Sequence, residues 1–320
     1  MAKNRLRPGR VVIAMGSIVA TVLVLDNVKR ELFGTRTNLV VSGNFKSGSA
    51  QYVEMPTESQ RVLGNEAQTA TAFTGVQNLG FNELNLPLSR LSAGALVIVD
   101  DKRPAGELSA SGKVSLSNEK NEFYSLIDNN IRLDQEAADA LNRMMADYHT
   151  ATALSDFIVY GTTNTYTGDG SLCPKYFPES AMGTTIDLAL NGYGSVLAFD
   201  GYDEQGWVLE NCAKYGFIVR YPQGKEDKTS NEFCPWHLRY VGEVHSAIMA
   251  ERGLCLEEYL DLLKNYTFDN AFTYNLNGVN YEIYSVVSQG DSTSVRVPVS
   301  GDYTISGNNS DRYIITTIKN

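Results

Sequence analysis

Residues 206–242 constrain this chain more than any other stretch. They read GWVLENCAKYGFIVRYPQGKEDKTSNEFCPWHLRYVG. Trp207 and Val208, then Asn211 and Cys212, then Tyr215 recur at helical spacing, and Gly216 stands where a left-handed C-cap belongs. FIVRYP follows as a short strand stopped by Pro222. A polar loop, residues 223–232, leads to a second strand over residues 233–241. That strand carries His237 between Trp236 and Leu238-Arg239. A histidine there is either a packed core residue or a positioned ligand, and both readings are open from the residue alone.

The ordered series WxxENxxKYGFIxRYPxGK, a loop and PWHxRYVG resembles the VanY-type zinc D-Ala-D-Ala carboxypeptidases. The likeness continues through HSAIMAERGLCLEEYL at residues 245–260, which is similar to that family's closing helices. The resemblance implies an α+β fold and makes His237 a zinc ligand. It also implies a second ligand, Asp187, five residues into GTTID and four after Gly183. Three departures accompany it. The position of the family's first histidine ligand, three before Gly183, is Ser180. The glutamate before PWH, which serves as general base in the family, is Cys234. The family's substrate-binding arginine falls on Thr163, whose hydroxyl cannot make a bidentate charge-assisted contact to a carboxylate. The stretch 165–176 is also short where the family has a helix and a long loop.

A catalytic zinc takes about three protein ligands and a water. The metal acidifies that water, and a positioned carboxylate takes its proton, worth roughly 10²–10⁴-fold in rate. The resemblance leaves Asp187 and His237 as a vestigial metal pair and no catalytic residue, with no cofactor expected. Ser180, Cys234, Trp236 and Arg239 line the implied pocket. One rescue is open: a Cys234 thiolate with Asp187 and His237 would make a three-ligand zinc site. Against it, residues three apart on a strand point to opposite faces unless a bulge intervenes. Otherwise Asp187 and His237 persist as a buried charge-assisted hydrogen bond joining two strands.

The rest of the chain supplies context. Lys3, Arg5, Arg7 and Arg10 precede an uncharged run at residues 11–25, the pattern of an export signal. Without a convincing cleavage site, residues 1–30 read as a signal anchor with the basic end inside; a cleaved signal is the alternative. Residues 31–90 are polar and read as a stalk. The VanY-like domain is placed at residues 91–265, opening with a strand at residues 95–99. It includes a helix from Leu133 to about Thr150 with Asp134 as N-cap, and a strand at residues 157–160. Residues 266–320 turn to β character: alternating runs flank Asn277-Gly278, a strong hairpin signal, and three further strands follow. They read as a separable antiparallel β module. Four cysteines allow three disulfide connectivities, and Cys212 and Cys255 sit on apolar helical faces. A net charge of −10 argues against a nucleic-acid backbone as partner.

The expected protein is therefore an extracytoplasmic, catalytically inactive relative that binds or scaffolds on peptidoglycan stem peptides or another envelope component. A working zinc carboxypeptidase with a rearranged site, and a purely structural or partner-binding exported protein, are the alternatives. The anchor predicts that alkaline phosphatase fused after Asn320 is active in intact bacteria. An inactive fusion places the body in the cytoplasm and removes the anchor.

Overall fold

A computed structural model describes residues 80–106, 113–161, 177–192 and 194–319, all within one compact unit, Thr69–Asn320. The anchor segment, most of the stalk, Thr163 and Cys173 lie outside these residues. No helix among the described residues is long and apolar enough to cross a membrane.

The strands are β1 (Phe81–Pro87), β2 (Lys113–Ser115), β3 (Ser125–Leu126), β4 (Arg132–Asp134), β5 (Phe157–Gly161), β6 (Thr185–Gly192), β7 (Ser195–Ala198), β8 (Phe217–Tyr221) and β9 (Cys234–Tyr240). The C-terminal part adds β10 (Phe272–Leu276), β11 (Val279–Val287), β12 (Ser292–Pro298), β13 (Tyr303–Gly307) and β14 (Arg312–Lys319). The helices are α1 (Leu116–Glu119), α2 (Gln135–Thr152), α3 (Trp207–Asn211), α4 (Glu226–Thr229), α5 (Glu243–Arg252) and α6 (Leu256–Leu263).

The central sheet runs β3-β5-β6-β9-β8, with β7 hairpinned onto β6. One face is covered by α2. Ala137, Leu141, Met144 and Tyr148 recur on one stripe of that helix and are fully buried against Phe157, Leu188 and Leu238. Asp134 precedes α2 in extended conformation, as an N-cap residue should, but its carboxylate makes no capping bond. Its backbone N–H instead donates to Gly183 O at 2.8 Å. Gly183 has φ +80, and a Cβ there would meet Lys113 Cε at 2.9 Å and Asp134 Oδ1 at 3.0 Å, so only glycine fits.

Two expectations fail in the N-terminal part of the unit. Residues assigned to the stalk include β1, which pairs along its whole length with β12. Residues 96–99 are buried, but residues 95–99 do not join a sheet: Arg239 Nη2 donates to Ala95 O and Val97 O, and Leu96 N–H donates to the Ser306 hydroxyl. Side chains take the backbone groups that a neighbouring strand would otherwise satisfy.

The C-terminal strands form a sheet in the order β10-β11-β14-β13. Its first hairpin turns on Asn277 (φ 51) and Gly278 (φ 87), two positive-φ residues that suit the twist of the flanking strands. Both faces of this sheet are buried. One packs Phe272, Ile283 and Ile314 with Ile248 of α5 and Leu260 of α6. The other packs Tyr284, Tyr313 and Ile315 on Leu86, Val295 and Val297 of the β1–β12 ribbon. The first cluster also contains Leu96, Ile218 and Val241, so the core crosses residue 265 without a break. Truncation after Asn265 removes three large buried side chains from that cluster alone, about 5–9 kcal/mol of burial, which is of the order of a domain's whole stability. The truncated chain is expected to lose its cooperative thermal transition. A sharp transition in calorimetry would show instead that the β strands form a dispensable module.

Candidate functional site

The site forms where β6 and β9 pair. Asp187 lies directly opposite His237, and Thr185 opposite Arg239, so these four side chains share one face. His237 Nδ1 and Asp187 Oδ1 are 2.5 Å apart. The other ring nitrogen, Nε2, is 3.3 Å from Glu179 Oε1. Glu179 comes from the 3-10 turn Pro178–Met182, which tips its side chain under the sheet. The imidazole is fully buried and packs against Phe177 at 4.4 Å and Tyr221 at 5.5 Å between ring centroids, and those two rings stand 4.6 Å from each other.

Glu179 is also fully buried and is held from several sides. Arg239 Nη1 donates to Oε2 at 2.8 Å, Arg220 Nε to Oε2 at 3.2 Å, and the Tyr221 hydroxyl to Oε1 at 2.7 Å. Arg220 then forks onto Glu257 of α6, at 2.7 and 3.1 Å. Burial by itself would push the Glu179 carboxyl up. Arg220, the His237 hydrogen bond and Arg239 outweigh it and hold the group far below the usual carboxylate range. Burial likewise opposes charge on His237, but Asp187 and then Glu179 overcome it and raise the imidazole to about 9. At neutral pH the ring is an imidazolium bridging two carboxylates.

These residues do not fit the zinc that the resemblance implies. Two donors on one tetrahedral zinc, each about 2.0–2.2 Å from it, stand about 3.3 Å apart. Asp187 and His237 are closer than that and share a proton instead. Glu179 contacts the opposite edge of the ring, so it cannot join them on one ion. The other two histidines are placed elsewhere. His149 stacks on Phe123 and bonds to Leu154 O, and His245 lies in the core between α5, α6 and β14. Among the described residues no three His, Cys, Asp or Glu side chains are arranged to hold a metal ion.

The remaining expected residues are distributed around this cluster. Ser180 is buried on the 3-10 turn, and its neighbour Glu179 reaches His237. Cys234 is buried with Phe177 and Tyr221, with a register shift between Val219 and Tyr221 in the pairing of β8 with β9; its thiol donates to Glu232 O at 3.3 Å. Trp236 packs on Tyr160, Ala189 and Val196. Arg239, expected to line a pocket, is instead wholly buried in the charge cluster. The sequence reading missed Glu179, Arg220 and Tyr221. The available signal was an arginine inside an apolar strand, since a buried arginine demands a carboxylate partner.

Comparison with known proteins follows the same lines. Residues 178–243 match the VanY, D-alanyl-D-alanine carboxypeptidase, family. The chain is 33% identical over 236 residues to a D-alanyl-D-alanine carboxypeptidase of Enterococcus faecium, an alignment covering 70% of this chain and 75% of that one. It is 42% identical over 88 residues to the putative carboxypeptidase YodJ of Bacillus subtilis strain 168, covering 27% of this chain and 32% of that protein. Among solved structures it is similar to the vancomycin-resistance D,D-dipeptidase VanXYg in complex with a D-Ala-D-Ala phosphinate analog. That match has a TM-score of 0.64 at 26% identity and covers 75% of this chain and 99% of the other. The shared fold and the extent of the Enterococcus match carry one conclusion: this chain belongs to the VanY-type D-alanyl-D-alanine carboxypeptidase family.

Proposed function

We propose that this chain is a non-hydrolytic VanY-type protein that holds a peptidoglycan stem peptide, or another envelope component, outside the cell. The observation that carries the first half is the saturation of His237, whose two ring nitrogens face Asp187 and Glu179. Nothing is left on the imidazole to ligate a metal, and the base position is a thiol, Cys234. The ligand class rests on kinship: the VanXYg relative is described in complex with a D-Ala-D-Ala phosphinate analog, and its fold is matched along nearly its whole length. A second reading, a structural or partner-binding exported protein, is favoured by the complete burial of His237 and Arg239.

Three measurements on the purified protein separate the readings. Elemental analysis is expected to find less than one zinc per chain, and a peptide ending in D-Ala-D-Ala is expected to release no D-alanine. Calorimetry is expected to detect binding of that peptide. One zinc per chain together with D-alanine release restores a working carboxypeptidase with a rearranged site. Absence of peptide binding leaves the structural reading.

The charge cluster also predicts stability. Glu179→Gln removes the charge that balances two buried arginines and is expected to cost about 3–5 kcal/mol in urea unfolding. A change under 1 kcal/mol would mean that solvent already screens the cluster. The pH profile has a sign at each end. His237 has its folded value raised from 6.5 to about 9, so its contribution is complete below pH 6.5 and lost as pH rises through 9. The loss is of order 3 kcal/mol. Glu179 has its folded value depressed, so its contribution is present above its ordinary value of 4.5 and disappears in strong acid. Melting temperatures are expected to fall between pH 6.5 and 9.5 in wild type and to fall less in His237→Gln. Parallel profiles would show that His237 is not charged in the folded protein.

A further inference from the structure

A second histidine is buried too but treated in the opposite way. His245 on α5 is 6% exposed, within the core shared by α5, α6 and the C-terminal sheet. Its Nδ1 shares a hydrogen bond of 2.8 Å with the Tyr259 hydroxyl of α6. Its Nε2 shares one of 3.2 Å with the Thr316 hydroxyl of β14. The Tyr259 ring meets the imidazole edge-on, at 5.7 Å between centroids. One side chain thus ties three elements together, and both its partners are neutral hydroxyls.

No charge compensates this imidazole. On its own helix, Glu243 turns outward to Arg143, Glu251 accepts from the Tyr274 hydroxyl, and Arg252 stacks over Phe272. From α6 the titratable group in contact is Tyr259, whose phenol burial pushes far upward, so it stays neutral. From β14 it is Thr316, which does not titrate. Burial is the one influence on His245 and lowers it from 6.5 to about 4. Placing a proton there puts an unpaired cation into an apolar core, which is costly without a counter-ion.

We propose that His245 is an acid-sensitive latch: the neutral imidazole ties α5 to α6 and β14, and its protonation loosens the C-terminal sheet from the helices. The sheet is the part that gives, because Thr316 belongs to β14 while α5 and α6 also pack on Ile218 and Val241 of the central domain. Since the unfolded imidazole takes up its proton near pH 6.5, the penalty begins in mild acid and grows about tenfold per pH unit toward pH 4.

The test compares urea unfolding of the full chain and of His245→Gln at pH 7.5 and pH 4.5. Carboxylates such as Glu179 and Asp134 titrate in both proteins and cancel in the comparison. The unfolding equilibrium of wild type is expected to shift about 70-fold more between the two pH values than that of the variant. Hydrogen exchange is expected to show loss of protection in β14 ahead of β6 in wild type at pH 4.5. Equal shifts in the two proteins overturn the proposal. Where His245→Gln does not fold, wild type labelled with ¹³C-histidine decides alone. Of its three histidine signals, one is expected to titrate below pH 5, and titration of all three at pH 6 or above overturns the latch.

Discussion

The buried carboxylate of Glu179 is the contact on which the middle of this molecule depends. It takes hydrogen bonds from Arg220 on β8, Arg239 on β9 and the Tyr221 hydroxyl, and its Oε1 faces His237. Through Arg220 it reaches Glu257 on α6, and through Arg239 it reaches the carbonyls of Ala95 and Val97. With Asp187 of β6 joined through His237, six separate segments are held by one ionic cluster. Counting Asp187, Glu179 and Glu257 against Arg220, Arg239 and protonated His237, the charges balance. Such a cluster need not add net stability over an apolar core of the same shape. It makes the arrangement specific, because loss of any member leaves another charge unpaired in a low dielectric.

That balance bears on chemistry. A catalytic zinc site keeps an open coordination position and ligands with free lone pairs. Here the imidazole that would ligate has a carboxylate at each nitrogen and packs against the rings of Phe177 and Tyr221. Asp187 and His237 are joined directly by a hydrogen bond of 2.5 Å. The neighbouring helices show the complementary case, in which His245 meets hydroxyls alone and stays neutral. The same side chain, buried in both places, is favoured in its charged form in one core and in its neutral form in the other, and the difference is the presence of carboxylates within hydrogen-bonding distance.

Much of the architecture was legible beforehand. The apolar stripe of α2, the Asn277-Gly278 hairpin and the helix closed by Gly216 all appear at their expected places, because each rests on local rules of spacing and φ. Residues 95–99 look like a strand by composition, yet they form none, since apolar β-branched residues favour burial before they favour pairing. Residues 81–87 look like linker, and they become a strand only because β12, more than two hundred positions later, offers an edge. Pairing between such distant segments leaves no periodic mark in a short polar stretch.

The motif frame around Gly183, Asp187 and PWH determined the fold family, since glycine, strand spacing and the aromatic-histidine strand are local requirements of that backbone. It also carries the expectation that Ser180 and Cys234 fall at the family's ligand and base positions. Only the tertiary structure decided what surrounds His237. Glu179 sits one residue before Ser180 and looks like a surface carboxylate in the string PESAM. A 3-10 turn carries it beneath the sheet, where it meets two arginines from separate strands, Arg239 and Arg220, the second of which also pairs with Glu257. Electrostatic pairing acts through space over a few ångströms, so which charge meets which is set by the packed fold and cannot be read from positions along the chain.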